Sequence, residues 1–102
     1  MRMSLQVVYP VGDDTNFDHA YYCDTHLPLV GKHIGAHIES TLVTKGLAGG
    51  PDTPAPFHAV ATMVFADRSA LDAALDTAGP VLADIPNFTN SRPQMLIGEV
   101  VG

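Results

Sequence analysis

FDHAYYCDTHLPLVGKHIG, residues 17–35, holds three of the five histidines, two of the three tyrosines and the only cysteine of a 102-residue chain. Elsewhere the sequence is strand-like or loop-like, with one Ala-rich helical run and little reactive chemistry. Thr15 stands three residues before Asp18, the spacing of a capping box. That predicts a helix starting near Asn16 or Phe17, with Asp18 at the positive end of its dipole. Pro28 lacks a backbone donor and disfavours α geometry at Leu27. The helix is therefore expected to break there and to restart as a second short helix closing between Gly31 and Gly35.

On either side lie alternations of period two. Residues 3–9 put Leu5, Val7 and Tyr9 on one face and Gln6 and Val8 on the other, and Pro10 ends that strand. Residues 37–45 set Ile38, Ser40, Leu42 and Thr44 against Glu39, Thr41, Val43 and Lys45. Residues 57–65 set Phe57, Ala59, Ala61, Met63 and Phe65 against His58, Val60, Thr62 and Val64. Both faces of that strand are largely apolar, so both need a cover. The intervening GLAGGPDTPAP, residues 46–56, has no periodicity and reads as an exposed flap or lid. Asp67 or Ser69 caps a helix with the apolar stripe Leu71, Ala74, Leu75 and Ala78. Gly79 and Pro80 close it, residues 81–88 offer one more turn, and residues 94–101 form the last strand.

The order strand, helix, strand, strand, helix, strand predicts one α+β domain over residues 1–102. It would be a ferredoxin-like βαββαβ sandwich, a four-stranded antiparallel sheet with both helices on one face. The other face is expected to meet a second subunit's sheet, giving a homodimeric α+β barrel. A content of 46% hydrophobic residues and 16% charged suits a small globular chain with apolar surface to spare for such an interface.

The formal net charge is −6, and the five basic residues Arg2, Lys32, Lys45, Arg68 and Arg92 are scattered. Nucleic-acid binding, which needs clustered cations, is excluded. No run approaches the roughly 20 apolar residues of a membrane helix, and the N-terminus lacks a signal-peptide layout. With Cys23 as its single cysteine the chain has no internal disulfide, and a cytoplasmic location is expected.

Chemistry concentrates on the first helix. His19, Tyr22 and His26 are spaced i, i+3, i+7 and would share one face. Imidazole gives and takes protons near neutrality, so His26 is the candidate general acid/base, with Tyr22 positioning it. His33 and His37 have the spacing of a metal-binding pair, but Gly35 and the following strand interrupt it. No metal site is expected, and His33 reads as a second pocket residue. Asp24 points to another side of the helix, and Cys23 has no cation to activate it. His58 belongs to the Val60–Thr62–Val64 face. No GxGxxG, Walker loop or nucleophile elbow is present, and GLAGGP lacks the Lys-Ser/Thr of a phosphate loop, so no cofactor is expected.

The string FDHAYYCDTHLPLV, residues 17–30, resembles the EthD-like family of the dimeric α+β barrel superfamily. Phe17, Asp18, Tyr21, Tyr22, His26, Pro28 and Leu29 carry the likeness. The family takes its name from a gene cluster for degrading ethyl tert-butyl ether. Similar folds serve muconolactone isomerisation, polyketide ring closure, quinone-forming monooxygenation and haem degradation. The resemblance implies that His26 and His33 correspond to the cavity-lining histidines of the muconolactone isomerases. Two functional expectations follow. One is a cofactor-independent isomerase or cyclase of small-molecule catabolism or biosynthesis, using His26 and Tyr22 on a hydrophobic oxygenated substrate held by His33, Tyr21, His19 and His58. The other is a non-catalytic ligand-binding or accessory dimer, with haem binding as a third option on fold analogy.

Overall fold

The alternation around Leu5 and Val7 produces the sheet's central strand. A computed structural model describes residues 1–102, and in it β1 (Met3–Pro10) buries Met3, Leu5, Val7 and Tyr9 while the residues between them are half-buried. β1 pairs antiparallel with β3 (Phe57–Phe65) on one side and β4 (Gln94–Glu99) on the other. β2 (Ser40–Lys45) adds antiparallel to β3, so the spatial order is β2-β3-β1-β4. This is the expected ferredoxin-like α+β arrangement.

The inner faces of β1 and β3 meet Tyr22, Ile34, Leu71, Ala74, Ala78, Ile85 and Phe88 from the helical layer in one core of 15 buried residues. The opposite face has no helix over it. Val8, Val60 and Val64 are half-buried there, and Leu42 and Leu96 are exposed on the outer strands. No helix is long and apolar enough to cross a membrane.

The first helical layer departs from expectation in three ways. Asp18, not Thr15, caps α1 (His19–Tyr21), its carboxylate accepting the Tyr21 N–H at 3.0 Å. Thr15 bonds Gly12 and the His58 ring instead, because residues 16–18 are extended: Phe17 bridges Thr89, and the Asp18 N–H donates to the Phe88 carbonyl at 2.8 Å. Pro28 does not break the helix. α1 runs through a π-helical turn, Tyr22–His26, into α2 (Leu27–Ile34) with Leu27 in ordinary helical geometry. A regular α turn would press the proline ring on the carbonyl four residues back. The wider turn relieves that contact, and the Leu27 N–H bonds the Tyr22 carbonyl five residues back.

The third departure concerns His58. β1 and β3 are in register as far as Val8–Val60, but Pro10 pairs Phe57, so His58 and Ala59 together oppose Tyr9. This β-bulge removes His58 from the Val60–Thr62–Val64 face. Its ring stacks on Phe17 at 5.6 Å and bonds the Thr15 hydroxyl at 2.9 Å.

α3 (Arg68–Asp76) is capped by Asp67, whose carboxylate accepts the Ala70 N–H at 2.9 Å, and buries Leu71 and Ala74. Residues 79–87 form the extra turn as α4 (Gly79–Asp84) and a 3-10 turn (Ile85–Asn87). The flap between β2 and β3 is tied at its base, where the Gly46 N–H donates to the His58 carbonyl at 2.9 Å and the Val11 N–H to the Pro56 carbonyl at 2.9 Å.

A Cβ on Gly46 would collide with the Phe57 carbonyl. Gly46→Ala is expected to lower stability by about 2 kcal/mol, because backbone, not a movable side chain, must give way. Urea unfolding followed by circular dichroism checks this, and an unchanged midpoint contradicts it.

Candidate active site

The π turn delivers His26 to the interior. Only 3% of the residue is exposed, and its ring lies between Tyr22, stacked at 5.5 Å, and Phe88, tilted at 4.5 Å. His26 Nδ1 stands 2.9 Å from Asp84 Oδ2, at the end of α4. The other carboxylate oxygen, Oδ1, accepts from the Tyr21 hydroxyl at 2.7 Å and the Asn87 amide at 3.0 Å. An ionised carboxylate only accepts, so Nδ1 carries a proton, and in the neutral ring the lone pair is on Nε2. The Asn87 amide foremost, then the His26 ring and the Tyr21 hydroxyl, hold the Asp84 carboxyl below its usual 3.8 against the opposing effect of burial.

His26 forms part of the wall of a cavity of about 410 Å³ between the helices and the inner face of the sheet. Of its 23 lining residues 17 are hydrophobic, so the few polar groups decide what it can do. The most buried of them are His26, Tyr9 and Tyr22, and the two tyrosine rings meet edge-on at 5.9 Å. Burial, assisted by Tyr22, pushes the Tyr9 phenol far above its ordinary 10, and burial pushes Tyr22 up to about 12. Both stay neutral donors at physiological pH. No fully enclosed side-chain polar atom lacks a partner. Nε2 of His26 and the two hydroxyls, which bond no protein group, therefore remain accessible.

The sequence candidates are dispersed rather than gathered. His26 and Tyr22 share the cavity, but Tyr22 stacks on His26, and the group that orients the imidazole is Asp84. Tyr21 lines neither the cavity nor its neighbouring cleft, and it braces Asp84. His33 lies outside both, its carbonyl accepting the Thr77 hydroxyl at 3.1 Å. The extra width of the π turn separates His19 from the His26 face, and His19 lines the neighbouring cleft. His58 is held by Phe17 and Thr15. No three His, Cys, Asp or Glu side chains are grouped to hold a metal ion.

Asp84 and Tyr9 escaped the sequence reading. Tyr9 is visible in the sequence only as sharing a strand face with Leu5 and Val7. Asp84 stood as a lone acid in the apolar run VLADIPNF, a signal that invites a buried partner.

The sequence pattern of the EthD domain matches residues 13–92. No curated protein matches the chain. Among solved structures, an EthD-like protein of Ralstonia eutropha is 36% identical, with a TM-score of 0.88 over 99% of this chain and 93% of that one. A dimeric ferredoxin-like protein of Thermobifida fusca is 12% identical, with a TM-score of 0.68 over 98% of this chain and 92% of that one. A cofactor-independent oxygenase of Streptomyces nogalater is 12% identical, with a TM-score of 0.63 over 99% and 93%. The last two likenesses speak for the fold alone.

A carboxyl held below its ordinary range stabilises the fold above that range and ceases to do so as acid protonates it. For Asp84, lowered from 3.8, the contribution is intact above about pH 4 and is lost as pH falls through the depressed value. Asp84→Asn is thus expected to melt below wild type at pH 6, with the gap closing under about pH 4. Thermal melts across pH 2.5–6 test this, and a gap independent of pH contradicts it.

Proposed function

The chain belongs to the EthD domain family, and on that premise we propose that it is a cofactor-independent enzyme acting by general acid/base catalysis on a small hydrophobic, oxygenated substrate. The observation that carries this reading is the His26–Asp84 pair, 2.9 Å apart at the wall of a largely apolar cavity. His26 Nε2 takes a proton from a carbon beside a substrate carbonyl, and the electron pair moves onto the carbonyl oxygen. The neutral phenol of Tyr9 or Tyr22 donates to that oxygen, while Asp84 stabilises the imidazolium. Return of the proton to another carbon completes an isomerisation, and attack of the enolate carbon on a second carbonyl, whose oxygen takes the proton back from His26, completes a ring closure. Catabolism and biosynthesis both use such steps. An exposed free thiol at Cys23 suits the cytoplasm.

The dominance of hydrophobic lining favours a second reading, a ligand-binding or accessory protein in which the same groups only hydrogen-bond the ligand. Turnover separates the two. In a panel of small lactones, ketones and phenols, at least one compound is expected to be converted by wild type. His26→Gln keeps a polar side chain toward Asp84 and is expected to lose about 10²–10⁴-fold in kcat with little change in binding. Full turnover by His26→Gln would remove His26 as the acid/base. Binding without conversion of any compound would favour the second reading.

We also propose that the uncovered sheet face makes the molecule a homodimer. Leu42, Leu96 and three half-buried valines form an apolar surface with no helix over it. Sedimentation equilibrium is expected to give about twice 10.8 kDa for wild type. Leu42→Lys with Leu96→Lys is expected to shift it to the monomer, since each places a desolvated charge in the interface. A wild-type monomer at micromolar concentration would contradict the dimer.

A further inference from the structure

Beside the main cavity lies a second cleft of about 400 Å³, with His19, Cys23 and Lys45 among its lining groups. Tyr22, Leu27 and Val43 line both spaces, so the two meet along those side chains. Lys45 ends β2 opposite Ala59, a buried core residue, so its side chain leaves the sheet on the helical side. The ion pairs of the chain are Arg2–Glu39, Arg68–Asp72 and His26–Asp84, and Lys45 takes part in none. Histidine rings make hydrogen bonds at His26 and His58, and the His19 ring makes none.

The charges facing His19 come from three elements. Burial foremost, then Lys45 and His58, push its imidazole below 6.5, and only Asp18 opposes them. The Asp18 carboxylate is already engaged by the Tyr21 N–H. In a chain of net charge −6, an ammonium and an imidazole line this cleft, and Asp18 is the one carboxylate that faces the imidazole. One ammonium and one imidazole, without a nest of backbone N–H groups or an arginine fork, match a single carboxylate better than a phosphate.

We propose that this cleft is an anion subsite, in which Lys45 and His19 bind a carboxylate of the ligand while its apolar body lies in the main cavity against Tyr22 and His26. The proposal rests on the main cavity being the ligand site, and it names the substrate class as a hydrophobic carboxylic acid. A bound carboxylate adds a second negative charge beside His19, so occupancy raises the affinity of that imidazole for a proton.

The test uses 1-naphthoate and its neutral isostere 1-naphthamide on the full chain, by calorimetry and by NMR of the histidine rings. Naphthoate is expected to bind about tenfold or more tightly than the amide, to perturb His19 and to raise its titration midpoint. Lys45→Met is expected to bring naphthoate down to the amide's affinity, and Lys45→Arg to retain most of the difference. Equal binding of acid and amide overturns the subsite, as does a preference that survives Lys45→Met with His19 unperturbed, or no binding of either compound. His26→Gln separates this proposal from the catalytic one. The acid preference is expected to persist in that variant, whereas loss of the preference there would place the anion at His26 and overturn the subsite.

Discussion

The Asp84 carboxylate is the point from which the rest of the cavity takes its geometry. Its two oxygens accept from an imidazole, a phenol and an amide, and the first two lie on the helix 58 and 63 residues earlier in the chain. The Asp84 side chain is 11% exposed and that of His26 4%, so either of these two left unpaired would incur the desolvation cost of a buried polar group. Complete pairing makes the arrangement tolerable, and it also fixes the imidazole in one orientation. Tyr22 and Phe88 then set the plane of the ring from either side. The clamp between the two chain segments is continued by backbone and hydroxyl bonds. The Thr89 hydroxyl donates to the Asn16 carbonyl at 2.6 Å, and Ser91 donates to the Pro10 carbonyl at 2.6 Å. Residues 84–91 are thereby held against the start of the first helix, and the aromatic cluster of Tyr9, Phe17, Tyr22 and Phe88 fills the space between.

What was legible in the sequence follows from how local each determinant is. Strand alternation depends on neighbours two apart, so β1 and β3, the division of their residues into two faces and the element order are legible directly, whereas the choice of face that meets the helices is not. The same rule failed at His58, because a bulge is a property of two paired strands and one of them alone does not reveal it. Pro28 was read by the α-helical rule, whereas the chain relieved the clash by widening a turn, an outcome decided by the packing of Tyr22 and His26 into the interior. That wider turn also undid the predicted common face of His19, Tyr22 and His26. Asp84 was beyond reach for a different reason. Its meaning lies in a partner 58 residues away, and no periodicity links the two.

The cavity itself shows where stability has been set against function. Gly31 and Gly35 line it from the helical side, and neither has a backbone conformation that calls for glycine. A helix interior favours alanine over glycine by about 1 kcal/mol, so Gly31 is a standing cost to α2, while Gly35 stands at its C-terminal cap. Crowding does not explain them, since a Cβ at either would meet nothing within 4 Å. What the missing Cβ atoms leave free is the room beside His26. Ala61 and Ala78 add small side chains to the same wall, where larger apolar residues would close the space and bury more surface. A core selected for packing alone would fill this volume. That it stays open next to an oriented imidazole and two neutral phenols is what the proposed ligand site requires, and the cost in helix stability belongs to the same proposal. On that proposal, the apolar lining sets the character of most of the ligand's surface.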